Sequence, residues 1–290
     1  LLKNINMPEP SIFPSIPSGF RMRAEFRIWH ENSTCYYVMF EKGNPNIPIK
    51  IESFPIGSSA ITITMPKLLE SINQDDVLKN KLFQIEFLSS QNDECIVTLI
   101  YHKKLNEAWI DLAAKLEKKL NIYLVGRSKK QKIFVSQDYI EDSFSVHGNK
   151  YKLIQEENSF TQPNASINQI MMNWLSGYLL QEEKDLLELF CGNGNFTIPL
   201  AKYFRYVLAT EISKSSIKSA KKNCLLNDIH NINFVRLSAE ETTEALKKER
   251  KFRRLKDINL DRYNFKTVLV DPPRSGLDNI TLKLVSSFEE

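Results

Sequence analysis

Glu188, Gly192 and Gly194 stand in the stretch "LLELFCGNGNF", where an apolar run meets a Gly-x-Gly turn. A strand that runs straight into such a turn, followed by a helix, lets backbone approach a ligand closely. The dinucleotide fingerprint asks for a third glycine three residues on, and Thr197 holds that place. The acid at Glu188 suits a cationic ligand better than a pyrophosphate. Glu211 lies nineteen residues beyond Gly192, at the end of the strand-like run "YVLATE". It is placed to accept hydrogen bonds from a ribose diol. With Asp271 at the end of "KTVLVD", the set favours S-adenosylmethionine over NAD.

Plainer readings stand beside these. Glu188 is also what a solvated strand residue looks like. Ser238 and Glu241 in "SAEE" form a capping box for the next helix and need no ligand. Cys191 invites a nucleophile reading, but at the cofactor loop a small buried thiol is the better one. The prolines of "DPPR" deny further ladder donors and hold Asp271 at the mouth of the sheet, though Asp-Pro-Pro is also simply a good strand terminator. Amino-group methyltransferases often place an aromatic residue after such a turn. Arg274 stands there instead, which tilts the chemistry away from adenine or guanine amino groups.

The elements that must position these residues fall into two halves. Residues 20–140 alternate short apolar runs with turns. In "RMRAEFRIW" Met22, Ala24, Phe26 and Ile28 share one face, and Arg21, Arg23, Glu25 and Arg27 the other. "CYYVMF", "LFQIEFL", "CIVTLIYH", "IYLVG" and "KIFVS" also read as strands. A helix is predicted over 107–120, with Trp109, Leu112, Leu116 and Leu120 at helical spacing. From about Asn164 strands alternate with helices, including one from the glycine loop through Phe204. That rhythm predicts a parallel, doubly wound α/β sheet.

The chain has 290 residues, with 42% hydrophobic and 26% charged residues, the balance of a globular protein of two domains. No apolar run reaches the roughly 20 residues that cross a bilayer. It begins with Leu1, so its natural start is expected to lie upstream. Four cysteines, at 35, 95, 191 and 224, form no CxxC pair. They argue against a zinc or iron–sulfur site and fit free thiols in a reducing cytoplasm. Net charge is +4, but "YHKK", "GRSKKQK" and "KKERKFRRLK" are local basic blocks. Each is either a phosphate-binding patch or a solvated surface.

"SFTQPN", "LLELFCGNGNF", "VLATEIS" and "VDPPRSGLD" resemble the RNA 5-methyluridine methyltransferases. "FRMRAEFRIWHE", "LFQIEFL", "LIYHKKL" and "GRSKKQKI" narrow the likeness to the bacterial tRNA (uracil-5-)-methyltransferases. The sister rRNA enzymes usually carry an iron–sulfur cysteine cluster, which is absent here. The resemblance implies a Rossmann-like, S-adenosylmethionine-dependent methyltransferase sheet at 161–290. It implies a sheet-rich α+β RNA-binding domain at 20–160, after an extended lead-in at 1–19. Gln162, Phe190, Asn195, Glu211 and Asp271 would line the cofactor site. Arg23 and Phe83 match the family's RNA surface, with Arg21, Arg27 and Lys103 beside them. The expected partner is the T-arm of tRNA, and the chain is expected to act as a cytoplasmic monomer without metal or membrane.

The implied reaction adds a cysteine thiolate to carbon 6 of uracil, methylates carbon 5, removes its proton with a base and expels the thiol. The family's nucleophile lies in a "CNP"-type motif and its base nearer the carboxyl end. Neither motif occurs in this sequence, so both residues are expected beyond Glu290. The expectation is therefore a methyltransferase sheet truncated at its C-terminal end, with no catalytic residue of its own, exposed apolar surface and no methyl transfer. Two rivals remain: an amino-group methyltransferase of adenine or guanine, and a binding-only RNA or nucleotide protein.

Overall fold

Alternation at period two makes β1 (Arg23–Glu31), whose Ala24, Phe26 and Ile28 are buried. In the computed structural model, which describes residues 9–179 and 184–288, β1 is the third strand of a seven-stranded sheet. Its neighbours are β2 (Thr34–Glu41), β3 (Asn44–Lys50), β4 (Leu82–Ser89), β5 (Cys95–Tyr101), β6 (Tyr123–Ser128) and β7 (Gln131–Phe134). The order is β3-β2-β1-β4-β5-β6-β7. Every pairing is antiparallel except β5 with β6, which needs a crossover. The crossover contains helix α3 (Glu107–Leu120), where a helix is predicted. Between β3 and β4 lie α1 (Ser59–Asn73) and the short α2 (Asp76–Lys79). Helices α1 and α3 bury Ile61, Met65, Leu68, Trp109 and Leu116 against the inner sheet face.

Helix α1 carries no expectation from the sequence. Its "ITIT" start alternates like a strand, but Ser58 caps it and Ile61, Met65, Leu68 and Ile72 recur on one helical face. A hairpin of β8 (Tyr139–Val146) and β9 (Asn149–Glu156) follows the large sheet. Phe144, Val146, Tyr151 and Leu153 pack with Met172, Leu186 and Ile198. The hairpin therefore shares the core of the C-terminal half, although it lies before residue 160.

The second sheet is parallel, in the order β12-β11-β10-β13. Its strands are β10 (Asp185–Leu189), β11 (Val207–Thr210), β12 (Ile232–Val235) and β13 (Phe265–Val270). They alternate with α4 (Ala165–Gly177), α5 (Thr197–Leu200), α6 (Lys214–Leu226), α7 (Ala239–Leu246) and α8 (Asn279–Val285). The helix expected through Phe204 is shorter. It ends as α5 at Leu200 and tightens into a turn at Ala201–Tyr203. There the Asn231 side chain donates to the carbonyls of Ala201 and Phe204, at 2.8 and 2.9 Å. Ser238 and Glu241 do form the capping box of α7. Among the described residues no helix is long and apolar enough to cross a membrane.

Two expectations fall at the ends of the chain. Leu1 and the first eight residues of the extended lead-in lie outside the described residues. So does Glu290, the residue beyond which the nucleophile and the base are expected, since the described residues end at Phe288.

Gly126 in β6 lies under Trp109. A Cβ there would come within 2.5 Å of both Leu105 Cδ1 and Trp109 Cη2. Gly126→Ala overpacks this contact and is expected to destabilise the protein by about 1–3 kcal/mol. A urea-unfolding midpoint equal to that of the parent would contradict that close approach.

Candidate active site

Strands β10, β11 and β12 wind outward in one direction, and β13 returns to the other side of β10. The carboxyl end of β10 is thus a topological switch point, where open α/β sheets bind ligands. The chain leaves β10 through three consecutive constraints. Phe190 adopts φ +60°, strained for a bulky residue, and Gly192 and Gly194 follow at +56° and +88°. The Cys191 amide donates to Thr210 O at 3.0 Å, and the Gly194 amide to Cys191 O at 2.9 Å. These bonds hold the turn against the strain at Phe190.

A cleft opens beside this loop. Phe190, Gly192 and Asn195 form one wall, Gln162 and Asp271 another. Gln162 Nε2 donates to Asp271 Oδ2 at 3.0 Å, joining residues 109 apart in sequence. Asn195 exchanges amide bonds with Asn168 of α4, at 2.8 and 2.9 Å. Asn168 had a sequence signal, lying in the first turn after the cap Asn164. Gln91 and Asp142 complete the rim from the large sheet and the hairpin, and nothing local marked them. Asp142 and Asp271 are the charged residues of the lining. Among the described residues it contains no Lys, Arg or His.

Two further acids stand behind the loop. Glu211 is half-buried just past β11, against the Gly192 turn. Its carboxylate accepts from the Gly192 amide at 3.2 Å and the Ser213 amide at 2.8 Å. Glu188 is buried, and its Oε2 has no hydrogen-bond partner among the described residues. Burial pushes its pKa up to about 8. The Thr197 hydroxyl is near enough to oppose the shift but forms no bond of normal geometry, and the Asp271 carboxylate adds to it. The solvated reading of Glu188 therefore fails. Asp271 is also raised by burial, against the Gln162 bond. Burial likewise raises the Cys191 thiol well above its usual range, so it packs as a neutral group.

The basic row of β1 divides into separate roles. Arg21 Nε donates to Arg23 O at 2.8 Å. Arg23 donates to Glu157 O at 2.7 Å and also to Ser159 O, so its guanidinium fastens the segment leading to Gln162. Lys103 Nζ donates to Val77 O at 2.7 Å, and burial lowers its pKa. Arg27 is exposed, its guanidinium carbon 3.9 Å from the Phe83 ring centroid. Phe83 stacks in turn on His102 at 4.1 Å. His102 was missed as a single residue, though it stands in the basic block "YHKK". Next to it, Lys104, Lys129 and Lys130 line a shallow basic cleft.

A family model described as tRNA (Uracil-5-)-methyltransferase matches residues 1–290. The chain belongs to this family. It is 48% identical over 286 residues to a tRNA/tmRNA (uracil-C(5))-methyltransferase of Cellvibrio japonicus (strain Ueda107), covering 99% of this chain and 78% of that protein. A relative of the same name from Aliarcobacter butzleri (strain RM4018) is 50% identical over 282 residues, covering 96% and 75%. The tRNA (uracil-54, C5)-methyltransferase of Pyrococcus abyssi, solved in complex with S-adenosyl-L-homocysteine, shares the fold at a TM-score of 0.65 and 20% identity. That likeness covers 92% of this chain and 63% of the archaeal one. The α/β, Rossmann-like reading therefore holds for this uracil-5-methyltransferase family member.

Glu188 gives a pH test. A carboxyl whose folded pKa lies above its unfolded value stabilises the fold while protonated. That contribution is complete below the ordinary 4.5 and is lost as pH rises through about 8. Without ligand, the melting temperature of the parent should fall relative to Glu188→Gln between pH 5 and 9. Curves that stay parallel across that range would rule out a buried, neutral Glu188.

Proposed function

We propose that this chain binds S-adenosylmethionine in the cleft beside Gly192 and grips the T-arm of tRNA on the outer face of the large sheet. The reaction it serves, that of its family, is methyl transfer to carbon 5 of a uridine, here one in the T-loop. The observation that carries the cofactor reading is the charge of the cleft. Asp142 and Asp271 line it, Glu211 stands against its glycine loop, and no cation is present among the described lining residues. A pyrophosphate would meet carboxylates and no cation there, whereas a sulfonium is matched. When bound, S-adenosylmethionine supplies an electrophilic methyl group.

The residues divide the work. Glu211 offers its free lone pairs to a ribose diol while its present bonds fix the loop. Gln162, Asp271, Phe190 and Asn195 enclose and orient the ligand. The Arg27–Phe83–His102 stack gives unpaired bases a platform beside phosphate-binding lysines, as single-stranded RNA recognition requires. The target uridine must leave its stack to be reached. Exposed Arg274 follows Asp-Pro-Pro where an aromatic would serve amino-group chemistry, so that alternative gains nothing.

Carbon 5 of uracil becomes nucleophilic once a thiolate has added to carbon 6. The four cysteines here are poor sources of it. All are buried, and burial raises Cys35 and Cys224 to about 11 and Cys95 to about 12, with Cys191 also high. Their burial argues against each of the four as that nucleophile.

Glu211→Gln is expected to weaken S-adenosylmethionine binding by about 1.5–3 kcal/mol, the loss of a hydrogen bond to a charged group. Calorimetry on this variant tests the cofactor assignment, and affinity equal to the parent's would sink it. 5-Fluorouridine-substituted tRNA is expected to leave Cys35, Cys95, Cys191 and Cys224 unmodified. Peptide mass spectrometry that finds RNA attached to any of the four would reverse their exclusion as nucleophiles.

A further inference from the structure

We propose that the basic loop 247–256 is a second anchor for the tRNA backbone, reaching phosphates from the β12 edge of the parallel sheet. The proposal rests on the tRNA reading above. Seven of these ten residues are Lys or Arg, against the single acid Glu249. Two anchors fix the loop. Phe252 is buried in the apolar cluster that also holds Leu208 and Leu237. Arg254 donates to Arg236 O at 2.5 Å and to Glu241 at 2.6 Å.

The second anchor also locates the loop. Arg236 Nε donates to Ile212 O at 3.0 Å, one residue beyond Glu211. This chain of bonds sets the anchored part of the loop at the carboxyl ends of β11 and β12, the end of the sheet that carries the cleft. Lys247, Lys251 and Arg253 are exposed and have no ion-pair or side-chain hydrogen-bond partner among the described residues. Held on one fixed loop, these cations repel one another until a polyanion neutralises them. Each phosphate they meet releases condensed counterions, so the contact must appear in the salt dependence of binding.

The test measures binding of unmodified tRNA by the 290-residue protein across a series of potassium chloride concentrations. Three proteins are compared: the parent, a loop triple (Lys247→Gln, Lys251→Gln, Arg253→Gln) and a control triple (Lys67→Gln, Lys115→Gln, Lys118→Gln). The control lysines are exposed on α1 and α3, which cover the inner face of the large sheet. Both triples remove the same charge. The loop triple should bind on the order of tenfold more weakly near physiological salt, with a log–log slope flatter by about 2, since each phosphate contact contributes about 0.7–0.9. The control triple should keep the parent's slope, and both should keep the parent's S-adenosylmethionine affinity. A loop triple with the parent's slope, or two triples with equal losses, overturns the loop assignment alone. A parent that binds no tRNA at any salt overturns the tRNA reading and this proposal with it.

Discussion

The carboxylate of Glu157 joins the two halves of the molecule. Its side chain is 1% exposed and is met by Arg127, by Lys132 at 3.0 Å and by the Thr98 hydroxyl at 3.2 Å. A buried charge needs this many partners, because its desolvation costs several kcal/mol. Those partners belong to β5, β6 and β7, so three strands of the large sheet hold one residue of the connecting segment. The Glu157 and Ser159 carbonyls accept from Arg23, and the Pro163 carbonyl accepts from the Met22 amide at 2.8 Å. Residues 157–163 are thereby fastened along the start of β1. Gln162 sits within that segment and reaches Asp271 on the other sheet. The geometry of the cleft depends on the strands of the large sheet as directly as on its own glycine loop.

This joint explains why the outward face of β1 carries unlike arginines. Alternation fixes which side of a strand a residue occupies, but not what covers that side. The segment after β9 covers the first part of the outer face, and Arg23 becomes its clasp. Farther along, the face is open, and Arg27 lies on Phe83 with His102 beneath. The bulge in the β4–β5 pairing between Leu82 and Gln84 falls at Phe83. A bulge re-aims a side chain, here toward the exposed platform.

The same distinction separates what the sequence made legible from what it did not. The Gly-x-Gly loop, the capping box of α7, the helix α3 and the four parallel strands all follow from local patterns. Their causes are short-range: strand alternation, a side chain three residues from an amide, a turn that needs positive φ. The attachment of the β8–β9 hairpin to the C-terminal core had no such signal, because its partners Met172, Leu186 and Ile198 lie far along the chain. Lys103 belonged to a basic block, but the Val77 carbonyl that holds it is 26 residues away. Gln162 and Asp271 were legible as separate site residues through family motifs. Their hydrogen bond became visible only with the fold.

Charge is sorted by depth. The cleft holds carboxylates, and the buried Glu188 has an oxygen without a partner among the described residues. The cations lie outside, on the stack at Arg27, around Lys104, Lys129 and Lys130, and along 247–256. A polyanion is attracted to such a surface and kept out of the acidic interior, while a small cation is favoured within it. The two ligands of the proposed reaction, an RNA backbone and a sulfonium, have those opposite charges. One protein surface can therefore hold both without competition, provided that the base enters the cleft and its phosphates stay on the rim.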